Sequence, residues 1–169
     1  MPKYNTLNSV QFDFQIEKLK EVSFSCQSAN IPGMSLGQAI QPTPLLDIPI
    51  PGDTLTIDSL NITYLIDEQM SNYLELYKWM KGLGFPDSNK QYADLLTNIY
   101  NLDSPGDQFS QATLFVLSNN SNVTFEVTFD RCFPISLSGL DFNTGEMDVN
   151  PFIASTTFLF ANYDIVAST

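Results

Sequence analysis

The 169-residue chain contains no histidine. That removes the commonest general base, the commonest metal ligand and the ordinary charge switch near neutral pH. A Ser-His-Asp or Cys-His pair therefore cannot be built. Cysteine is scarce. Cys26 and Cys132 lie far apart in apolar, strand-like stretches, Phe24-Ser-Cys26 and Cys132-Phe-Pro134. They read as buried free thiols of a reduced compartment, with a disulfide left to be judged by distance. Basic residues number 7 against 19 acids, a formal net charge of −12. Such a surface repels a phosphate backbone, which disfavours both sequence-specific and single-strand nucleic-acid binding. No apolar run approaches a membrane-spanning length, and the opening residues MPKYNTLNSV lack an apolar signal core. Neither membrane association nor export by the usual route is expected.

The acids and glycines that are present organise no chemistry. Asp67-Glu68 and Glu146/Asp148 are the visible carboxylate pairs, but adjacent strand residues point to opposite faces, and capping or solvated acids explain them. Asp141-x-Asn143-x-Gly145-x-x-Asp148 is an incomplete calcium loop with no bidentate glutamate in place, and reads as a polar turn. Gly33, Gly37, Gly82 and Gly84 make no phosphate-binding fingerprint. No catalytic residue, cofactor or metal is expected, and the chain reads as a structural or assembly protein.

What the chain does have is alternation. Val10, Phe12, Phe14 and Ile16 share one face of a strand, and Val22, Phe24 and Cys26 share one face of a second, joined to the first as a hairpin. Thr54 to Ile66 alternates with a phase slip at Asp58-Ser59. Ala112–Leu117 and Val123–Phe129 form a hairpin about Ser118–Asn122, Cys132–Leu140 continues as an edge-like strand broken by Pro134, and Phe152–Ile165 is a last strand. The fold class is mainly β: one domain over 1–169, an antiparallel β sandwich or partly closed barrel with one flanking α-helix at about 70–82. Tyr73, Leu76, Tyr77 and Met80 form its stripe and Trp79 and Leu83 widen it. Asp67 or Ser71 caps its start, and Gly82 stands at its C-cap. Residues 92–100 read as a short second helix, and Ser104–Asp107 as a turn.

One segment fits none of this. Residues 30–53 carry five prolines and three glycines together with Met34, Leu36, Ile40, Leu45, Leu46, Ile48 and Ile50. A disordered linker holds fewer apolar side chains, and a hairpin loop is shorter. The expectation is a long Pro-rich loop without internal strands, buried against a partner subunit or, alternatively, packed on its own domain, with open sheet edges that tend to find partners.

In order and spacing these pieces resemble the tail tube proteins of contractile-tailed bacteriophages over nearly the whole chain. The resemblance runs through FDFQI and VSFSCQSANIP, then IPIPGDTLTIDSLNITYLIDE ahead of the Trp79 helix, then VTFEVTFDRCFPISLSGLDFNTGEMDVNPFIASTTFLFANYDI. It implies a virion tail protein of a fold shared with type VI secretion tube proteins, forming hexameric rings that stack into a homo-oligomeric tube inside a sheath. Sheath, baseplate and tail terminator proteins would be its partners, and DNA would pass the lumen without specific binding. On that resemblance Leu45, Leu46, Ile48 and Ile50 would contact the next ring. The helix would cover the outer face and one end, with Leu76 and Trp79 inward. The more apolar 30–53 segment and a longer 87–109 insertion depart from a minimal tube subunit and leave room for a tube initiator or terminator ring. A carbohydrate-binding β sandwich is the reading from another class.

Overall fold

The computed structural model describes residues 11–84, 87–90, 93, 108–118, 121–143, 145 and 151–167, with the side chains of Lys20, Glu21 and Phe24 left undescribed. Apart from Ala93, the expected helix at 92–100 lies outside these residues, as do the turn at 104–107, Val10 and Asp148. The architecture is mainly β and antiparallel. β1 (Phe12–Ile16) leads into a short helix α1 (Lys20–Ser25), β2 (Cys26–Ala29), β3 (Met34–Gln41), β4 (Ile48–Ile57) and β5 (Leu60–Leu65). Helix α2 (Ser71–Gly84) follows, then β6 (Ser110–Leu117), β7 (Val123–Leu137), β8 (Ile153–Leu159) and β9 (Asn162–Ala167).

Seven strands run in the order β1-β6-β7-β8-β5-β2, with β9 also on β7. The fold turns on β7. Its first half pairs with β6 and β9, and its second half with β8. Between them Arg131 takes a left-handed backbone, φ 55°, at the register shift that sets Ser110 opposite Cys132. A bulge there bends the strand from one layer into the next. Phe14, Ile16, Leu114, Val127 and Phe129 from one side meet Leu60, Ile62, Tyr64, Ala154 and Phe158 from the other in a single buried cluster. Alternation is the cause: β6 buries Ala112, Leu114 and Val116, and β5 buries Leu60, Ile62 and Tyr64.

Helix α2 closes the open end between the layers. A turn holds its start: the Met70 N–H donates to the Asp67 carbonyl (2.8 Å), and the Ser71 hydroxyl to the Asp67 carboxylate (3.1 Å). Buried Asn72 ties the helix to the sheet. Its amide donates to the Leu65 carbonyl (2.7 Å) and to Ser25 Oγ (3.1 Å), and its Oδ1 accepts the Tyr73 N–H (2.8 Å). Gly82 is not the C-cap; it is a buried residue inside a helix that continues to Gly84.

Four segments differ from the sequence expectation. First, Lys20–Ser25 is helical, not a strand. Leu19 and Val22, three residues apart, are both buried, and Ser23 Oγ donates to the Leu19 carbonyl (3.1 Å) and accepts the Ile16 N–H (3.0 Å), coiling the chain. Second, the 133–137 stretch is the continuation of β7 with Pro134 buried at a register shift, where no ladder bond is lost. Third, residues 152–165 divide into β8 and β9. Fourth, the Pro-rich 30–53 segment is not an unstructured loop. β3 and β4 form a two-stranded antiparallel ribbon in which Pro49 faces Ile40 and Pro51 faces Gln38. Alternate residues of an antiparallel strand direct N–H and C=O away from the partner, and prolines two apart share that phase.

Candidate assembly interface

The ribbon grows out of the main sheet. β2 pairs with β5, and β3 and β4 extend the same two chain segments past a break at Asn30–Gly33 and Asp58–Ser59, the place of the expected phase slip. Backbone bonds bridge the break: Asn30 N–H to the Asn61 carbonyl (3.3 Å) and Asp58 N–H to the Gly33 carbonyl (3.0 Å). The Tyr163 hydroxyl, buried, donates to the Pro32 carbonyl (2.9 Å), and the Asn30 amide to the Ser59 carbonyl (3.2 Å). The root is thus fixed to the body. Halfway along, Gly37 and Gly52 bring the two backbones so close that a Cβ on Gly52 would lie 2.6 Å from the Gly37 carbonyl oxygen.

Beyond the root many of the exposed side chains are apolar. Cross-strand pairing sets Met34 opposite Ile57, Leu36 opposite Leu55 and Ile40 opposite Pro49, which places Met34, Leu36, Ile40 and Leu55 on one face. Ile48 and Ile50 line the other. At the tip Thr43 Oγ1 accepts the Leu46 N–H (3.2 Å) and donates to the Leu46 carbonyl. That leaves Leu45 98% and Leu46 71% exposed. Eight large apolar side chains of the arm are exposed, four on one face, two on the other and two at the tip. Contiguous patches beyond about 300–600 Å² on a monomer mark interaction surfaces. Of the residues expected to make contacts, Leu45, Leu46, Ile48 and Ile50 are all on this arm.

The outer helix is divided. Leu76 and Trp79 are buried, Tyr73 and Leu83 pack partly against the core, Met80 is half-buried and Tyr77 is exposed. The Trp79 indole N–H donates to the Gln108 carbonyl (3.2 Å), and its ring lies 6.2 Å from that of Phe158 and 5.3 Å from Lys18 Nζ. The Tyr73 hydroxyl donates to the Ser138 carbonyl (3.0 Å). The buried stripe is therefore Asn72, Leu76 and Trp79, rotated from a stripe centred on Tyr77 and Met80.

Two further surfaces were not visible in the sequence. Cross-strand register puts Asp13 of β1, Glu126 and Asp130 of β7 and Asp164 of β9 on the same face of the sheet. A groove there is lined by Asp13, Gln15, Glu17, Ser23, Gln111 and Thr113, and the Ser23 hydroxyl is engaged with the Leu19 carbonyl and the Ile16 N–H. At the start of β8, the Phe142 ring (71% exposed) packs on that of Phe152 with centroids 4.7 Å apart and planes tilted by 52°, beside exposed Ile153. Both thiols are free. Burial pushes Cys26 up to about 11 and Cys132 up to about 12, which keeps them protonated and inert near neutral pH. Among the described residues no three His, Cys, Asp or Glu side chains gather into a metal site. No helix among them is long and apolar enough to cross a membrane.

This architecture, an antiparallel sheet with helix α2 packed on it and a two-stranded arm, was compared with known proteins. The model of the phage tail tube protein family matches residues 1–165, and the chain belongs to that family, whose members are components of the virion tail. The tail tube protein of Serratia phage KSP90 is 24% identical over 143 residues, 85% of this chain and 75% of that protein. The tail tube terminator protein of Enterobacteria phage T4 is 23% identical over 167 residues, 95% of this chain and 88% of that protein. The fold is also that of a chain in the anti-feeding prophage baseplate, with a TM-score of 0.66 over 96% of both chains at 10% identity.

Proposed function

We propose that this protein forms six-membered rings that stack into the inner tube of a contractile tail, a conduit for DNA ejection, and that it does so without catalysis. The observation that carries the reading is the arm: an ordered ribbon, anchored through Pro32 and Asn30, that exposes Leu45, Leu46, Ile48 and Ile50. A second copy of the chain is the occupant, and identical arms repeated around a ring would give a stacking surface. The sixfold symmetry of the anti-feeding prophage baseplate supports a ring of six. The net charge of −12 suits a wall that does not grip passing DNA. Sheath, baseplate and terminator proteins are the further partners of such a tube, with the exposed side of α2, including Tyr77, available to them.

A single terminal ring is the second reading, favoured by the match to the T4 terminator over 88% of its length. Electron microscopy of the purified protein separates the two: long tubes carry the first, isolated rings the second, and particles of one subunit exclude both. Leu46→Asp combined with Ile48→Asp should leave the subunit folded by circular dichroism and stop stacking. Normal tubes from that variant would remove the arm from the interface.

A further inference from the structure

The chain has a single arginine, Arg131, and the fold puts it at the bend of β7, where its backbone takes φ 55°. Glycine supplies left-handed backbone at a bulge without steric cost, and any residue with a Cβ is strained there. The bend accounts for the conformation but not for an arginine. The side chain has a support of its own. Its guanidinium lies over the Phe109 ring, 4.3 Å from the centroid, and Phe109 meets Phe133 edge-on at 5.8 Å. Stacking occupies one face of the planar group, while its N–H donors lie in the plane and stay open at the edge. Arg131 is exposed. It makes no ion pair among the described residues, although Asp130 precedes it and acids outnumber bases 19 to 7.

We propose that Arg131 is an anchor between subunits, its guanidinium taking a carboxylate of a second copy of this chain. The proposal rests on the assembly reading above and deepens it by naming a contact residue outside the arm. Charge complementarity selects the occupant. Each copy carries a net charge of −12, and Asp13, Asp130 and Asp164 are exposed on its sheet. A guanidinium pairs with a carboxylate through two parallel hydrogen bonds, and one already stacked on a ring loses little freedom in doing so. A nucleic-acid phosphate would suit the same fork, but a lone arginine on so acidic a surface gives a polyanion no path. A second copy is acidic too, yet its exposed arm, Leu45 and Leu46 included, supplies an apolar attraction that nucleic acid lacks. Donor and acceptor are different patches, so the contact is head-to-tail and repeats around a ring or along a stack.

Arg131→Gly separates the bend from the anchor in the full chain. Glycine suits the left-handed backbone, so the subunit should unfold at the same or a higher denaturant concentration. The protein concentration for half-assembly, followed by sedimentation velocity, should rise by about tenfold or more. Assembly of Arg131→Gly at the parent's concentration would overturn the anchor and leave the tube or ring reading intact. If the variant also lost binding to added DNA, the fork would belong to phosphate. Arg131→Lys identifies the acceptor. Isotope-labelled and unlabelled subunits of this variant are mixed, assembled and treated with a carbodiimide, which joins an amine directly to a carboxylate. Mass spectrometry should find residue 131 joined to an Asp or Glu of a differently labelled copy. A link confined to its own chain, or none, would overturn the anchor as well. A protein that sediments as a monomer at all concentrations would overturn both readings.

Discussion

Asn72 shows how one polar side chain can organise an element. It is buried, and its amide serves the Leu65 carbonyl and Ser25 while its oxygen takes the Tyr73 N–H, so it pins α2 to β5 and to α1 at once. Asn72→Leu would leave those groups without partners in a dry site. The expected cost is about 1–3 kcal/mol, read as a lower denaturant midpoint. Trp79, the only tryptophan of the chain, lies two turns along the same face and reports the transition by fluorescence. Most of these roles were hidden in the sequence. An asparagine in the first turn of a helix is ordinarily a capping or solvent-facing residue. Only the packing of three elements turns it inward and rotates the buried stripe away from Tyr77. The inward placement of Leu76 and Trp79 came with the family resemblance, whereas spacing put Leu76 in the stripe and Trp79 only at its margin.

At the level of elements, the pattern was legible wherever one face is buried and the other wet. β1, the β6–β7 hairpin, β5 and α2 all follow from alternation or helical spacing. It failed where that contrast disappears. Val22, Phe24 and Cys26 alternate by coincidence within a turn of helix set by Leu19, Val22 and Ser23. In the 34–57 ribbon both faces carry apolar residues and the prolines argue against a strand, so its regularity was invisible; two-stranded pairing leaves an outer rim on which proline does no harm. The ring contact of Phe142 with Phe152 could not be found at all, because only the fold brings these residues, ten apart in sequence, together. Gly52 is the place to test the ribbon as an element. Gly52→Val drives a Cβ to 2.6 Å from the Gly37 carbonyl oxygen and must spread the strands. The body should keep its unfolding free energy within about 0.5 kcal/mol, while assembly measured by light scattering should weaken sharply.

For the whole molecule, the opposing quantities are greasy surface on the arm and a charge of −12 that every copy shares. Screening reaches about 30 Å in 0.01 M salt and about 3 Å in 1 M. Subunits should therefore associate at lower protein concentration as salt rises, as followed by sedimentation velocity. A protein held together mainly by ion pairs would do the reverse.

The ribbon beyond Gly33 and Asp58 is only two strands wide, and a lone pair of strands is marginal in water. In the stacking proposed above, the copy that receives it would complete its order. The first copies to meet would each bear that ordering with few contacts in return, whereas a copy arriving at a finished end would find its contacts already formed. Growth from such units would begin slowly and then run quickly, so preformed ends, more than the amount of free subunit, would decide where construction starts.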